Sequence, residues 1–234
     1  MNRIITTLAL AICSLTAFAQ FQLKINGEYT LKFMDISDPE LLWNQFEEKG
    51  TKSVIEKGRL ILESKKDQQP VISCAEFLFN PEEEDFFAEF IFKPSEIKDR
   101  PSFGIVFDYK NEKNFSVITF GKKGYIYTTC EKGEYSIVKR GIYKLAPRKK
   151  KISDEEYTSA LNSILKDKNV FDVSLVQAKG QLYLVINDVE IARFKGVRIT
   201  NPNMGFLIDG KSKLEAYAVL FSTISYEEED TTQE

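Results

Sequence analysis

Phe86-Phe87-Ala88-Glu89-Phe90-Ile91-Phe92-Lys93-Pro94 is the stretch on which the fold turns. Phe86, Ala88, Phe90 and Phe92 share one face of an extended chain; Phe87, Glu89 and Ile91 share the other. Alternation at period two marks a β-strand, because successive side chains point to opposite faces. Pro94 lacks an N–H for the ladder and ends the run. Phe103-Gly104-Ile105-Val106-Phe107-Asp108-Tyr109 repeats the pattern. Here Phe103, Ile105, Phe107 and Tyr109 read as the inward row, with Gly104, Val106 and Asp108 opposite. Residues 110–114 turn, 115–120 return, 121–124 turn again, and 125–130 lead through 131–134 to 135–138. Short strands joined by such turns form a meander.

The same reading extends in both directions. Upstream, Leu23 and Ile25, then Tyr29, Leu31 and Phe33, alternate with polar residues. Val54-Ile55 and Leu60-Ile61-Leu62 flank Glu56-Lys57-Gly58-Arg59, a hairpin signal. Downstream, 170–178 and 181–187 are joined by Lys179-Gly180, and Asn187-Asp188 turns into 189–194. Strands at 204–209 and 214–224 follow, separated by Gly210-Lys211-Ser212. Two segments depart from period two. Ser153-Asp154-Glu155-Glu156 is a capping box, and Tyr157, Ala160, Leu161, Ile164 and Leu165 follow it at helical spacing. A short helix is therefore predicted at 153–166. A weaker helix is predicted at 39–46, with Trp43 packing it onto the strands. No Ser/Gly-rich linker or internal repeat divides the chain, so 20–226 reads as one domain with an acidic tail at 227–234.

Residues 1–19 have a different character. Met1-Asn2-Arg3 is a positive start, 4–15 is largely apolar, and Ala17-Phe18-Ala19 precedes Gln20 as a small-x-small cleavage pattern. This is the layout of a secretory signal peptide, so the protein is expected to be exported, to the periplasm, the cell envelope or the medium. The apolar run is too short to span a bilayer, and no later stretch is long and apolar enough. Ile12 ahead of Cys13 is too large for a lipoprotein cleavage site. Cys74 and Cys130 remain after cleavage. They either form a disulfide in an oxidising compartment or pack as buried thiols.

Composition sets further limits. The 234 residues are 43% hydrophobic and 29% charged, too apolar for disorder. Lys+Arg number 32 against Asp+Glu 35, a net charge of −3, which argues against a nucleic-acid binder. Histidine is absent. That excludes a Ser-His-Asp triad, a Cys-His dyad and His-ligated metal. Calcium needs only oxygen ligands, but no Asp-x-Asp-x-Asp spacing occurs, so neither a dedicated metal site nor a cofactor is expected.

The order of strands resembles the concanavalin-A-like lectin/glucanase jelly roll, over roughly residues 27–225. Within that group the chain looks most like exported bacterial 3-keto-disaccharide hydrolase-like domains. Three runs carry the resemblance. One is 103–109 with Asn114-Phe115. Another is Phe171-Asp172-Val173-Ser174-Leu175-Val176 with 182–188. The last is Met204-Gly205-Phe206-Leu207-Ile208-Asp209-Gly210. The resemblance implies an all-β, two-sheet antiparallel jelly-roll sandwich, with the helix near 153–166 as an insertion.

Three functions follow as expectations. The first is a non-catalytic carbohydrate-recognition module. Sugar faces stack on aromatic rings, and Tyr109, Tyr125, Tyr127, Tyr183 and Trp43 are the candidate platforms. The second is a hydrolase of glycosides or modified disaccharides, which needs two carboxylates about 5–10 Å apart. The Glu-x-Asp-x-x-Glu strand of laminarinase-type members is missing, which leaves Asp108 and Asp209 at strand ends as weak candidates. The third is an envelope sandwich that binds a protein partner. Register decides among the candidate residues, since a slip of one residue exchanges the two faces of a strand.

Overall fold

A computed structural model describes residues 32–34, 36–38, 41–67, 69–143 and 164–226. The predicted leader at 1–19, the acidic tail at 227–234 and all but the last three residues of the predicted 153–166 helix lie outside these. Fifteen strands, numbered in chain order, form two antiparallel sheets. The larger has nine, in the order β13 (Val189–Lys195), β12 (Gln181–Ile186), β11 (Phe171–Ala178), β6 (Asp85–Pro94), β15 (Ser212–Ile224), β4 (Arg59–Ser64), β3 (Thr51–Glu56) and β2 (Phe46–Glu48), with β1 (Lys32–Met34) also paired to β15. The smaller has six: β10 (Glu134–Ile142), β9 (Gly124–Glu131), β8 (Asn114–Phe120), β7 (Phe103–Asn111), β14 (Asn203–Asp209) and β5 (Pro70–Glu76). This is the all-β, two-sheet antiparallel sandwich that the resemblance implies, built from the strands that the alternation predicts.

The core between the sheets is built from phenylalanine. Phe90 and Phe92 of β6 meet Phe206 of β14, Phe92 also meets Phe103 of β7, and Phe86 packs on Phe221 of β15. Phe206 has the centroids of Trp43, Phe90 and Phe92 at 5.6, 5.7 and 5.6 Å. Each buried aromatic side chain stabilises the fold by roughly 1.5–3 kcal/mol through area removed from water. The alternate residues Phe87 and Ile91 point to the outer face, as the period-two reading requires. The hairpin at Lys57-Gly58 closes in two residues with φ of 53° and 71°, and Lys179-Gly180 does the same with 49° and 71°. These left-handed turns match the twist of the strands they join.

Two expectations need correction, and one open alternative is decided. The 39–46 helix does not form over 41–46. Leu41 and Trp43 are buried and Leu42 is exposed, the alternation of an extended chain, and Phe46 already belongs to β2. The Asn44 carbonyl accepts from the Ser53 and Ser73 hydroxyls, at 2.8 and 2.9 Å, and its N–H donates to Cys74 O. Two strands thus hold the segment from both sides. Tyr109, second, is not in the inward row. Asp108 adopts a left-handed backbone (φ 53°), and the β7–β8 register shifts between Phe107 and Asn111. This bulge reverses the alternation and turns Tyr109 to the outer face. Third, Cys74 and Cys130 are free thiols. Cys74 lies on β5 and Cys130 on β9, with β14, β7 and β8 between. Four strand spacings come to about 19 Å, whereas a disulfide needs Cα atoms within about 7 Å. Burial pushes the Cys74 thiol well above its ordinary value.

Candidate functional site

The two aspartates proposed as a catalytic pair stand at opposite ends of one ribbon. Gly205 pairs with Val106 and Ile208 with Phe103. Continuing that register sets Asp108 against Asn203 and Asp209 against Ser102, and the Asp209 N–H donates to Ser102 O. Six residues separate the two levels, roughly 20 Å at about 3.3 Å per residue. No glycosidic bond can lie between them. Each has a structural task instead. The Asp108 carboxylate accepts from the Thr200 N–H at 3.0 Å and its hydroxyl at 2.9 Å. Asp209 pairs with Arg100 at 3.5 Å.

Four of the five candidate aromatic platforms are buried. Tyr125 and Tyr127 occupy the inward face of β9 and pack edge-on against Phe194. Trp43 stacks on Phe206 in the core. Tyr183 lies on the outer face of the nine-stranded sheet, among Phe87, Val176 and Ile224, with the Arg193 guanidinium 4.8 Å above its ring. None of these rings presents an open face to a ligand. Tyr109 alone of the five is half-buried.

Tyr109 belongs to the outer face of the six-stranded sheet. Its neighbours there are Cys74, Val106, Phe115, Val117, Cys130 and Leu207. Cross-strand pairing explains the grouping: Phe115 opposes Cys130, and Cys130 opposes Tyr135 of β10. Phe115 has Tyr109 at 6.3 Å on one side and Tyr135 at 6.0 Å on the other, edge-on. The three rings make an aromatic row across the sheet. Tyr135 is 57% exposed. Partial burial raises the hydroxyl pKa of both Tyr109 and Tyr135, so each stays a neutral phenol able to donate. Half-buried Thr119 and Thr128 alternate onto the same face from β8 and β9. Gly104 and Gly205 lie in its floor. A Cβ on Gly205 would stand 2.0 Å from Ser73 O, and one on Gly104 2.1 Å from Ile118 O. Only glycine allows the backbones to approach so closely.

A pair of acids that the sequence reading passed over lies on the outer face of the nine-stranded sheet. Glu89 opposes Ser174, and Asp172 opposes Ile91. They are therefore diagonal neighbours, about 7–8 Å apart. Exposures of 5% for Glu89 and 3% for Asp172 make them strongly buried carboxylates. The signal was present in the sequence, as the polar residues on the outward faces of two apolar strands, but the adjacency of β6 and β11 was not. Hollows are small. One of about 170 Å3 is lined by Glu47, Thr51, Lys52 and Glu63, and one of about 80 Å3 by Lys93, Ser95, Lys213 and Glu215. Pockets that enclose small molecules run to about 300–1,000 Å3.

No family model matches the chain, and no curated protein matches it. The narrower likeness to 3-keto-disaccharide hydrolase-like domains thus has no family match behind it. Solved structures do resemble it. A Bacillus subtilis protein of unknown function with a galectin-like fold is 12% identical at a TM-score of 0.51, over 85% of this chain and 100% of that one. Carbohydrate-binding module CBM66 from Bacillus subtilis is 9% identical at 0.40, over 80% of this chain and 91% of that one. Sheep galectin-11, in complex with glycerol, is 8% identical at 0.39, over 68% and 99%. At such identities the likeness is one of fold, and the first of the three is near enough in backbone to bear on it. The chain has the architecture of a galectin-like β-sandwich.

Proposed function

We propose that this chain is an exported carbohydrate-recognition module that takes an extended glycan on the outer face of its six-stranded sheet. The row Tyr109–Phe115–Tyr135 carries the reading: two rings with accessible surface, a packed aromatic between them, and threonine hydroxyls alongside. Sugar C–H faces stack on such rings, and neutral phenols and hydroxyls pair with sugar hydroxyls. An open sheet face suits a chain of sugars better than a single small molecule, which would need enclosure. Oligosaccharide binding is tested by thermal shift and titration calorimetry. A bound glycan raises the unfolding midpoint by mass action. Tyr135→Ala is expected to weaken binding about tenfold while leaving the midpoint of the free protein unchanged. If no oligosaccharide in a broad panel shifts the midpoint at millimolar concentration, the reading fails. Export is checked separately: the released protein should begin at Gln20.

A second reading, hydrolysis of glycosides or modified disaccharides, is favoured by the Glu89 and Asp172 placement. Adjacent strands carry the two carboxylates on one face, as a pair flanking a glycosidic bond requires. Product analysis separates the readings. Turnover lost in Glu89→Gln with the fold intact supports hydrolysis, and binding without turnover supports recognition alone.

A further inference from the structure

Register along β10 sorts its side chains between the two faces of the six-stranded sheet. Tyr135 opposes Cys130 and Ile137 opposes Thr128, both outer-face positions of β9. The bulge after Ile137 then sets Lys139 against Tyr127 and Arg140 against Ile126. Tyr127 faces the core, so Lys139 turns inward, where its ammonium lies 5.3 Å from the centre of the Phe194 ring. Arg140 therefore joins Tyr135 and Ile137 on the outer face. Its side chain is exposed, and among the described residues it meets no carboxylate. Cys130 and Ile126 are four residues apart on β9, which puts Arg140 roughly 13 Å along the face from Tyr135 at about 3.3 Å per residue. Half-buried Thr128 lies between the two levels, and half-buried Thr119 opposes Ile126 beside the arginine.

Charge is unevenly placed along this strip. Gly124, on the far side of the β8–β9 turn, opposes Ile142, two residues beyond Arg140. Lys122 and Lys123 of that turn, both exposed, thus stand at the Arg140 end. Asp209 at this end is already paired with Arg100, and exposed Asp99, on the loop packed against Gly121, offsets only one of the remaining cations. In sequence, β10 leads on to Lys144 and the run Arg148-Lys149-Lys150-Lys151. At the Tyr135 end the turn carries Glu131 and Glu134. The chain has a net charge of −3, so the basic end is local and not a general attraction for anions. We infer, resting on the carbohydrate-recognition reading, that the glycan taken on this face is acidic: a uronic-acid oligosaccharide whose carboxylate is held by Arg140 while a neighbouring sugar lies on Tyr135. A guanidinium fork fits a carboxylate with two parallel hydrogen bonds. Lys122 and Lys123 add attraction without fixed geometry, and the glutamates at the opposite end disfavour the reversed chain.

Titration calorimetry tests this on protein expressed from the full 234-residue chain. The probes are oligomers of galacturonate, mannuronate and guluronate, each beside its carboxyl-reduced, neutral counterpart. At least one acidic oligomer should bind about tenfold more tightly than its counterpart, and less tightly as salt is raised. Arg140→Gln should remove that preference and leave the neutral affinity as it was, whereas Tyr135→Ala should weaken both forms alike. Arg140 is exposed, so an unchanged thermal midpoint certifies the fold of its variant. Acidic forms that bind no better than neutral ones overturn the inference, and any neutral oligosaccharide still bound keeps carbohydrate recognition standing. A preference that survives Arg140→Gln overturns it too. If no oligosaccharide of either charge binds, the recognition reading and this inference fall together. Capture by phosphatidylglycerol vesicles that Arg140→Gln abolishes, with no oligomer bound, would assign the arginine to a membrane surface instead.

Discussion

Asp108 shows how one backbone angle reassigns a side chain. Its left-handed conformation is non-glycine and therefore uncommon, and it is held by two hydrogen bonds from Thr200. Asp108→Ala removes the one oxygen that accepts both bonds and is expected to cost about 1–3 kcal/mol in urea unfolding, with glycan binding weakened only through Tyr109. Gly205 is less forgiving. A methyl group there would meet Ser73 O and Cys74 Cα at 2.0 and 2.7 Å, both backbone atoms that cannot swing aside. Gly205→Ala should lower stability by about 2–4 kcal/mol, read as a drop in the urea midpoint. The thiols make a third case. Being free and buried, Cys74 and Cys130 should resist alkylation until the protein unfolds, and a reductant should leave the thermal midpoint where it was.

Elements were legible wherever period two was long. The alternation of β6 was readable from Phe86 to Phe92 because both sets of residues are apolar enough to show which partner each faces. Two-residue turns such as Lys57-Gly58 were readable because the left-handed backbone demands particular residues. The segment 41–46 misled because Leu41, Leu42 and Trp43 fit helical and extended spacing equally over so short a run, and long-range bonds from Ser53 and Ser73 decided between them. β5 was not singled out in the sequence, since its apolar residues alternate for only a few positions. Of the candidate site, only Tyr109 was found. Tyr125 and Tyr127 looked the same in sequence, and the direction in which β9 faces is a property of the sheet, not of the strand. Phe206 illustrates the energetic side: as the ring that links Trp43, Phe90 and Phe92, its replacement by Ala should cost about 3–5 kcal/mol.

Across the described residues of the whole molecule, every resolved titration shift moves away from neutrality. The hydrogen bond from Lys93 lowers Asp167 below its ordinary 3.8, and that from Lys213 lowers Glu215 below 4.5. Such carboxylates contribute stability above their unfolded values and lose it as pH falls through the lower, folded ones. Lys93 is raised above 10.5 by Asp167, and Lys52 by Glu56. Their contribution is present below 10.5 and is lost as pH climbs through the higher folded value. Histidine, the side chain whose ordinary value lies nearest neutrality, is absent from the chain. Thermal midpoints are therefore expected to be flat from about pH 5 to about pH 8, to fall below that range as the paired carboxylates protonate, and to fall above it as the unfolded chain ionises the Cys74 thiol that the fold keeps neutral. A step between pH 6 and 7.5 would contradict this.

The thirteen residues of β15 settle how soon the sandwich can close. This strand lies between β6 and β4, deep in the nine-stranded sheet, and its Glu215 meets Arg59 across 156 residues of chain. Pairings so distant in sequence form late and slowly, on the order of milliseconds to seconds. Until Ser212 and the residues after it arrive, β6 and β4 each lack a neighbour, and the larger sheet stays in two halves. A chain emerging from its N-terminal end thus leaves the larger sheet unclosed until β15 has been made.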